Sequence, residues 1–147
     1  MSGLASAPLA VAYGIGRLGC LLAGDGTYGT PSNLPWAMSF PHGLVPTDQR
    51  VHPTPLYEAI SAFVLAALLW RLRTRVRPQV LFAIFAVWQG VSRFLVEFIR
   101  LNQRVLFGLS QPQLWSVLLV AIGLIILYRS TIAAGGASSP RARALSA

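Results

Sequence analysis

Four long apolar runs divide the sequence into segments of similar length. Each run is close to the ~20 residues that an α-helix needs to cross a bilayer. The runs cover about residues 4–23, 55–73, 79–100 and 112–129. This pattern predicts an all-α protein, a polytopic membrane helical bundle of about four transmembrane helices with a long ordered outer loop.

A polar stripe crosses the third apolar run, where residues 89–100 read QGVSRFLVEFIR. Its polar residues recur at the spacing of one helix face. They are Gln89, Arg93, Glu97 and Arg100. Because a charged side chain at the bilayer centre costs roughly 2.5–3.5 kcal/mol on insertion scales, we expect this stripe to face a polar cavity inside the bundle.

The composition supports a membrane protein, since 54% of the residues are hydrophobic and only 11% are charged. Soluble domains carry about 25% charged residues. All twelve basic residues are arginines, and they concentrate in the 71–77 loop and after the fourth run, at Arg129, Arg141 and Arg143. The positive-inside tendency places both regions and both termini in the cytoplasm. The net charge of +8 is therefore explained without a nucleic-acid partner.

The segments outside the apolar runs differ in character. Residues 24–54 hold five prolines and several aromatic residues, which favours an ordered lid or platform on the outer side rather than a slack linker. Residues 131–147 are small and polar, and are predicted to form a disordered cytoplasmic tail. Residues 1–130 are predicted to form one membrane-embedded domain.

Arg17 and Arg93 are predicted to lie at similar depths from the outer side of the membrane. A single arginine so placed could extend its head group to the interface. Two of them at matched depth favour a shared anion instead, and arginine forks suit phosphate. A phospholipid head group is the anion expected at that depth.

The segment GIGRLG at residues 14–19 matches the glycine pattern of dinucleotide-binding loops. No strand is predicted before it, and no alternation of strands and helices follows, so the dinucleotide interpretation is weak. Small residues that let two membrane helices approach closely, with a gap for Arg17, explain the pattern better.

Several further residues allow both a structural and a functional interpretation. Glu97 could form ion pairs that make Arg93 and Arg100 easier to insert, or could orient an arginine toward a substrate. Tyr57 fits an interfacial aromatic belt, and Glu58 complements the dipole of a helix N-terminus. The lone cysteine, Cys20, excludes an internal disulfide and is interpreted as a small buried residue rather than a nucleophile.

Four segments in this order resemble the C-terminal half of the prolipoprotein diacylglyceryl transferase family. They are GRLGCLLAGDGTYGTPSNLPWAMSFP, HPTPLYEA, GVSRFLVEFIR and LSQPQLWS. The resemblance covers roughly residues 13–120. It implies an enzyme of the bacterial plasma (inner) membrane that transfers the diacylglyceryl group of phosphatidylglycerol to the lipobox cysteine of a preprolipoprotein, releasing glycerol phosphate. It implies no metal and no cofactor.

The resemblance also implies candidate site residues. Arg17 and Arg93 match family arginines that are expected to bind and polarise the lipid phosphate. The candidate catalytic residues are Arg17, Arg93, Glu97, Tyr57, Glu58 and His52. The candidate substrate-binding residues are Arg17, Asp25, Tyr28, Gly29, Arg93, Arg100 and Gln113.

The sequence departs from the family pattern in ways that leave a second hypothesis open. Cys20 stands where the family signature has asparagine, Pro55 replaces a glutamine, and the N-terminal helices with their His-Gly-Gly-Leu motif are absent. The alternative is a non-catalytic, truncated or split relative that acts as a phospholipid-binding membrane protein. A partner chain would then supply the missing helices.

Overall fold

The computed structural model describes residues 3, 5–100, 104–106 and 108–136. Within them lie four helices and two short antiparallel strand pairs. The helices are α1 (Ser6–Ala23), α2 (Thr54–Leu72), α3 (Pro78–Glu97) and α4 (Gln111–Gly136). The strands are β1 (Met38–Phe40) with β2 (Thr47–Val51), and β3 (Arg104–Leu106) with β4 (Leu109–Ser110). The prediction of an all-α class is confirmed.

The helix ends have recognisable local causes. Pro78 occupies the first position of α3, where its missing N–H costs nothing. α1 ends at Gly24, whose φ of 58° is left-handed and whose N–H bonds to the carbonyls of Cys20 and Leu21.

The predicted end of the fourth helix near residue 129 was too early, because α4 continues to Gly136. Residues 130–134, Ser-Thr-Ile-Ala-Ala, contain no helix breaker. The tail from 137 to 147 lies outside the described residues.

The helices alternate in direction and pack in chain order, α1 on α2, α2 on α3 and α3 on α4. Small residues allow this close packing. A Cβ atom on Gly90 of α3 would lie 2.7 Å from Val120 Cγ2, and one on Gly123 of α4 would lie 2.7 Å from Val87 Cγ2. These contacts fix the register of α3 against α4 and leave large apolar side chains on the outside of the bundle.

The outer surface of the bundle is apolar. Leu22, Ile15 and Leu95 are 87%, 59% and 59% exposed, which water would disfavour and lipid would not. All four described helices are long and apolar enough to cross a membrane. The chain is therefore a helical membrane protein.

The GIGRLG segment contributes to helix packing through one of its glycines only. A Cβ atom on Gly14 would lie 2.9 Å from the ring of Phe63 in α2, whereas one on Gly16 or Gly19 would meet no described atom within 4 Å. The expectation that the whole segment mediates a close approach was thus wrong for Gly16 and Gly19. Both face away from the neighbouring helices.

The 24–54 segment is ordered, as predicted from its prolines and aromatic residues. Tyr28 stacks on Phe40 with ring centroids 4.5 Å apart, and its hydroxyl donates to the carbonyls of Gly24 and Val45. The Thr30 N–H donates to the carbonyl of Ile99, 2.8 Å away, at the end of α3. The segment is therefore a platform joined to the ends of α1 and α3.

Candidate active site

Side chains from three helices meet near the platform end of the bundle. Tyr13 and Arg17 come from α1, Glu58 from α2 and Arg93 from α3. We refer to these four residues as the Arg–Glu cluster. The structure brings Arg17 and Arg93 together, since both pair with the same carboxylate.

Glu58 is the residue that joins the two arginines. Arg93 Nη1 donates to Glu58 Oε1 at 2.7 Å, and Arg17 Nε lies 3.2 Å from Glu58 Oε2. The latter contact is an ion pair without hydrogen-bond geometry, because Oε2 accepts no hydrogen bond from the described residues. From the sequence, Glu58 was interpreted either as complementing the dipole of a helix N-terminus or as a catalytic residue. The structure adds that it holds both guanidinium groups.

Tyr13 completes the cluster and was missed by the sequence analysis. Its hydroxyl donates to Glu58 Oε1 at 2.9 Å and accepts from Arg17 Nε at 3.0 Å. A weaker contact of 3.5 Å joins it to Arg93 Nη1. Tyr13 lies one helical turn before Arg17, and this i, i+4 spacing of a tyrosine and an intramembrane arginine is the signal that could have identified it.

The cluster carries more positive than negative charge. The Glu58 side chain is 2% exposed, and those of Arg17 and Arg93 are 13% and 26% exposed. Two guanidinium groups and one carboxylate leave one net positive charge in a water-poor environment. Because buried charges are costly unless they are compensated, the cluster favours binding of an anion next to Arg93, its more exposed arginine.

A cavity of about 470 Å³ adjoins Arg93 between α1, α3 and α4. Its lining combines polar groups with an apolar wall: Tyr13, Gln89, Gly90, Arg93, Gln111, Pro112, Trp115, Ser116 and Leu119. This volume lies within the range of small-molecule sites. The polar stripe on α3 thus faces a cavity at Gln89 and Arg93, as predicted.

Glu97 and Arg100 form a separate contact at the end of α3. Arg100 Nη1 lies 4.0 Å from Glu97 Oε2, and Ser110 Oγ donates to Glu97 Oε1 at 2.8 Å. Burial lowers the pKa of Arg100, and the charges of Arg93 and Arg17 add to this effect, against the opposing charge of Glu58. The expected ion pair between Glu97 and Arg93 is corrected, because Arg93 pairs with Glu58, whereas the expected pairing of Glu97 with Arg100 is observed.

Gln113 has a structural task in this part of the chain. The Ser110 N–H donates to Gln113 Oε1 at 2.9 Å, and Gln113 is 5% exposed. This is one half of a capping box at the start of α4. The side-chain carbonyl of Gln113 is engaged in this cap, and its contact with substrate stays a prediction.

His52 and Tyr57 belong to an aromatic group at the edge of the platform. Trp36 Nε1 donates to the Tyr57 hydroxyl at 2.8 Å, and that hydroxyl lies 3.2 Å from His52 Nδ1. Which of these two groups donates the hydrogen depends on the imidazole tautomer. No hydrogen bond among the described residues joins this group to the Arg–Glu cluster.

Asp25, Tyr28 and Gly29 shape the platform. Asp25 Oδ1 accepts from the Thr27 hydroxyl at 2.6 Å. Burial alone would raise the pKa of Asp25, but hydrogen bonds from Thr27 and from the Cys20 thiol, together with the charge of Arg17, lower it below its usual value. Tyr28 is buried. A side chain on Gly29 would collide with His52 and Ile99, so this glycine is required for packing.

Metal-ligating side chains do not gather in the part of the chain that the structure describes. No group of three or more His, Cys, Asp or Glu residues there could hold a metal ion. The polar groups that converge on the cavity are guanidinium, phenol and amide groups, which suit an anionic organic ligand.

Comparisons with known proteins identify the family. The family model described as prolipoprotein diacylglyceryl transferase matches residues 1–129. A phosphatidylglycerol–prolipoprotein diacylglyceryl transferase of Clostridium tetani is 36% identical over 121 residues, which is 80% of this chain and 48% of the relative. The protein of that name from Pseudomonas putida is 33% identical over 130 residues, 83% of this chain and 48% of the relative.

A third relative of the same name, from Bordetella avium, is 39% identical over 123 residues, which is 78% of this chain and 44% of the relative. The chain thus spans about half the length of the curated relatives it matches. No solved structure matches it. The extent of the family match shows that this chain belongs to the prolipoprotein diacylglyceryl transferase family.

Proposed function

We propose that this chain transfers the diacylglyceryl group of phosphatidylglycerol to the lipobox cysteine thiol of preprolipoproteins and releases glycerol phosphate. The observation that carries the proposal is the pair of intramembrane arginines, Arg17 and Arg93, bridged by buried Glu58 beside a cavity of about 470 Å³. Membership of the family gives the reaction, and the cluster gives a place for the lipid phosphate.

The chemistry requires stabilisation of a phosphate leaving group. A base removes the proton of the lipobox thiol. The thiolate sulfur attacks the glyceryl carbon, an S–C bond forms, and the C–O bond to the phosphate breaks. The bonding electrons and the negative charge stay on the departing glycerol phosphate. Fixed guanidinium donors in a water-poor site stabilise such growing charge, and Arg93 is the donor that lines the cavity.

Glu58 and Tyr13 act on this step through the arginines. Glu58 Oε1 receives hydrogen bonds from both Tyr13 and Arg93, so the Arg93 head group cannot rotate freely. Fixing a donor before the charge develops is what makes such a site effective. In this proposal Arg17 and Arg93 bind phosphate, while Tyr13 and Glu58 are positioning residues.

A second candidate function is phospholipid binding without transfer. The observation that favours it is the cavity lining, which among the described residues includes no histidine, cysteine or carboxylate that could accept the thiol proton. In that case the Arg–Glu cluster still binds the phosphate of phosphatidylglycerol, and helices outside the given sequence, in this chain or in a partner chain, complete the enzyme.

We place the arginine-rich ends of α2, α3 and α4 in the cytoplasm of a bacterial inner-membrane protein. Arg71, Arg73, Arg75, Arg77 and Arg129 all lie at that end of the bundle, opposite the platform. Positively charged loops are retained on the cytoplasmic side. The platform and the Arg–Glu cluster then open toward the outer leaflet, where lipobox cysteines emerge.

A transfer assay tests the proposal. The purified chain in phosphatidylglycerol bilayers is mixed with a lipobox peptide, and the peptide mass is followed. We expect a diacylglyceryl mass gain that Arg17→Gln and Arg93→Gln each abolish, while Arg75→Gln, which removes the same charge from an exposed loop, preserves it. Phosphatidylglycerol binding is measured in parallel by native mass spectrometry.

Two results separate the candidate functions. If the peptide gains no mass but the chain binds lipid in a way that depends on Arg93, the phospholipid-binding function is supported and a self-sufficient transferase is rejected. If the peptide gains no mass and neither arginine substitution changes lipid binding, both functions are rejected for the Arg–Glu cluster.

A further inference from the structure

A second cavity of about 470 Å³ lies at the other end of the bundle, between the start of α3 and the last turns of α4. Its lining has two arginines, two uncharged polar residues and an apolar wall: Arg77, Gln79, Phe82, Ile126, Arg129, Ser130 and Ala133. The proposed transfer reaction makes no use of this cavity, which is separated from the Arg–Glu cluster by most of the length of α3.

The register of α3 against α4 brings the two arginines to one level. Gly90 faces Ser116 and Val120, and Gly123 faces Ala83 and Val87. Extending this antiparallel pairing toward the start of α3 sets Arg77 opposite Thr131, close to Arg129. Both line the same cavity, so two guanidinium groups share one space without a counter-charge from α3 or α4.

None of the acidic side chains lies near these arginines. The sequence has four acidic residues, Asp25, Asp48, Glu58 and Glu97, and all lie on the platform or at the helix ends next to it. Among the described residues, Arg77 and Arg129 form no hydrogen bond or ion pair, unlike Arg17 and Arg93. The four acidic side chains therefore do not balance the charge of Arg77 and Arg129.

The shape of the cavity indicates what kind of anion fits. Arg77 immediately precedes the first residue of α3 and is exposed, as expected for a side chain at head-group level. Phe82 and Ile126 lie about one turn deeper toward the middle of the membrane and form an apolar wall. Basic pockets between transmembrane helices with such walls suit a lipid phosphate whose acyl chains run down the helix surface.

We propose that the Arg77–Arg129 cavity binds the phosphate of an anionic phospholipid in the leaflet opposite the platform. The ligand is held as a structural lipid between α3 and α4, and it is distinct from the lipid consumed at the Arg–Glu cluster. Its phosphate accepts from both guanidinium groups, and its acyl chains cover the apolar wall formed by Phe82 and Ile126.

Native mass spectrometry of the detergent-solubilised chain tests this proposal, with phosphatidylglycerol and phosphatidylcholine as probes. We expect the double variant Arg77→Gln/Arg129→Gln to retain one phosphatidylglycerol fewer than the parent. Each basic residue near a membrane surface contributes about 1 kcal/mol to anionic lipid binding, so the affinity of this site should fall about thirtyfold. Phosphatidylcholine retention should not change.

A matched double variant, Arg73→Gln/Arg75→Gln, removes the same charge from the same end of the bundle without touching the cavity lining. This variant should retain the lipid. If both double variants lose lipid equally, the binding depends only on the overall surface charge, and the proposal is wrong. Helix content, measured by circular dichroism, confirms that both variants are folded.

Two further measurements show whether the bound phosphate belongs to a lipid and which site loses the lipid in the double variant. Excess inorganic phosphate should not displace the lipid; displacement would indicate a site for soluble phosphate instead. Arg77→Gln/Arg129→Gln should still cause the loss of one bound phosphatidylglycerol when it is introduced into the Arg93→Gln variant. If it disappears there, the lost lipid had occupied the Arg–Glu cluster and the proposal is wrong.

Discussion

Glu58 shows how strongly the role of one residue depends on its neighbours. In the sequence it is an acid in the first turns of a helix, where a dipole contact explains it. In the structure its carboxylate is 2% exposed and pairs with Arg17 and Arg93 from two other helices. It is therefore the residue whose loss leaves the largest uncompensated charge in the membrane.

Glu58→Gln is expected to destabilise the folded chain by about 3–5 kcal/mol, because two guanidinium groups lose their only buried counter-charge in the cluster. Thermal unfolding in detergent measures the effect, and transfer or phosphatidylglycerol binding should fall with it. Asp48→Asn is the matched control, since Asp48 is exposed on β2. A Glu58→Gln variant as stable as this control would contradict the bridging role.

Tyr13→Phe removes only the hydroxyl that lies between Arg17 and Glu58. We expect a loss of about 1–3 kcal/mol in the free energy of unfolding, the cost of leaving buried polar partners without a hydrogen bond. Transfer should slow more than lipid binding weakens, because the charges remain and only their orientation relaxes. Tyr128→Phe serves as the control, as Tyr128 is 68% exposed, and equal behaviour of the two variants would refute the assignment.

At the level of elements, glycines decide how closely α3 approaches α4. In a bilayer no hydrophobic effect drives helices together, so backbone proximity and dispersion contacts determine their association. Gly90 lines the cavity beside Arg93 and also packs against Val120. The packing of α3 on α4 and the shape of the candidate site therefore depend on one residue.

Gly90→Ala is expected to destabilise the bundle by about 1–3 kcal/mol, because the new Cβ would lie 2.8 Å from the Ser116 carbonyl oxygen and the helices must separate. Gly16→Ala on α1 should be neutral or stabilising by up to about 1 kcal/mol, since its Cβ meets no described atom and alanine favours a helix. Thermal unfolding of both variants distinguishes steric packing from helix propensity; similar shifts would argue against a close α3–α4 contact at Gly90.

At the level of the whole molecule, charge is segregated between the two ends of the bundle. The acidic residues gather at the platform end, and five arginines gather at the other end without an acid among them. The platform end therefore has ion pairs within the protein, while the arginine-rich end has no acidic side chain beside it. This asymmetry supports one orientation in the membrane.

Cysteine labelling measures that orientation. In a Cys20→Ser background, which removes the one native cysteine, single cysteines are placed at Asp48 on β2 and at Thr74 in the loop between α2 and α3. A membrane-impermeant maleimide should label Asp48→Cys on intact spheroplasts and Thr74→Cys only after permeabilisation. Labelling of Thr74→Cys on intact spheroplasts would reverse the proposed orientation.

Much of the fold could be predicted because its causes are local. Apolar length, the prolines at helix starts and the glycine at the end of α1 act within a few residues, so the helix starts of α2, α3 and α4 were predicted to within one residue. The end of α4 was missed because residues 130–136 carry no stop signal before the glycine pair. Arg17 and Arg93 were predicted to meet because depth in a membrane can be counted along a helix.

The sequence by itself determined the four-helix membrane bundle, the family and the two arginines of the candidate site. Only the tertiary structure decided that Glu58 bridges these arginines, that Tyr13 joins them and that Arg77 and Arg129 share a second cavity. The physical reason is that helix formation depends on neighbours along the chain, whereas ion pairs between helices depend on their rotation and register. Those are fixed by packing at residues such as Gly14, Gly90 and Gly123, each of which lies against atoms of a neighbouring helix.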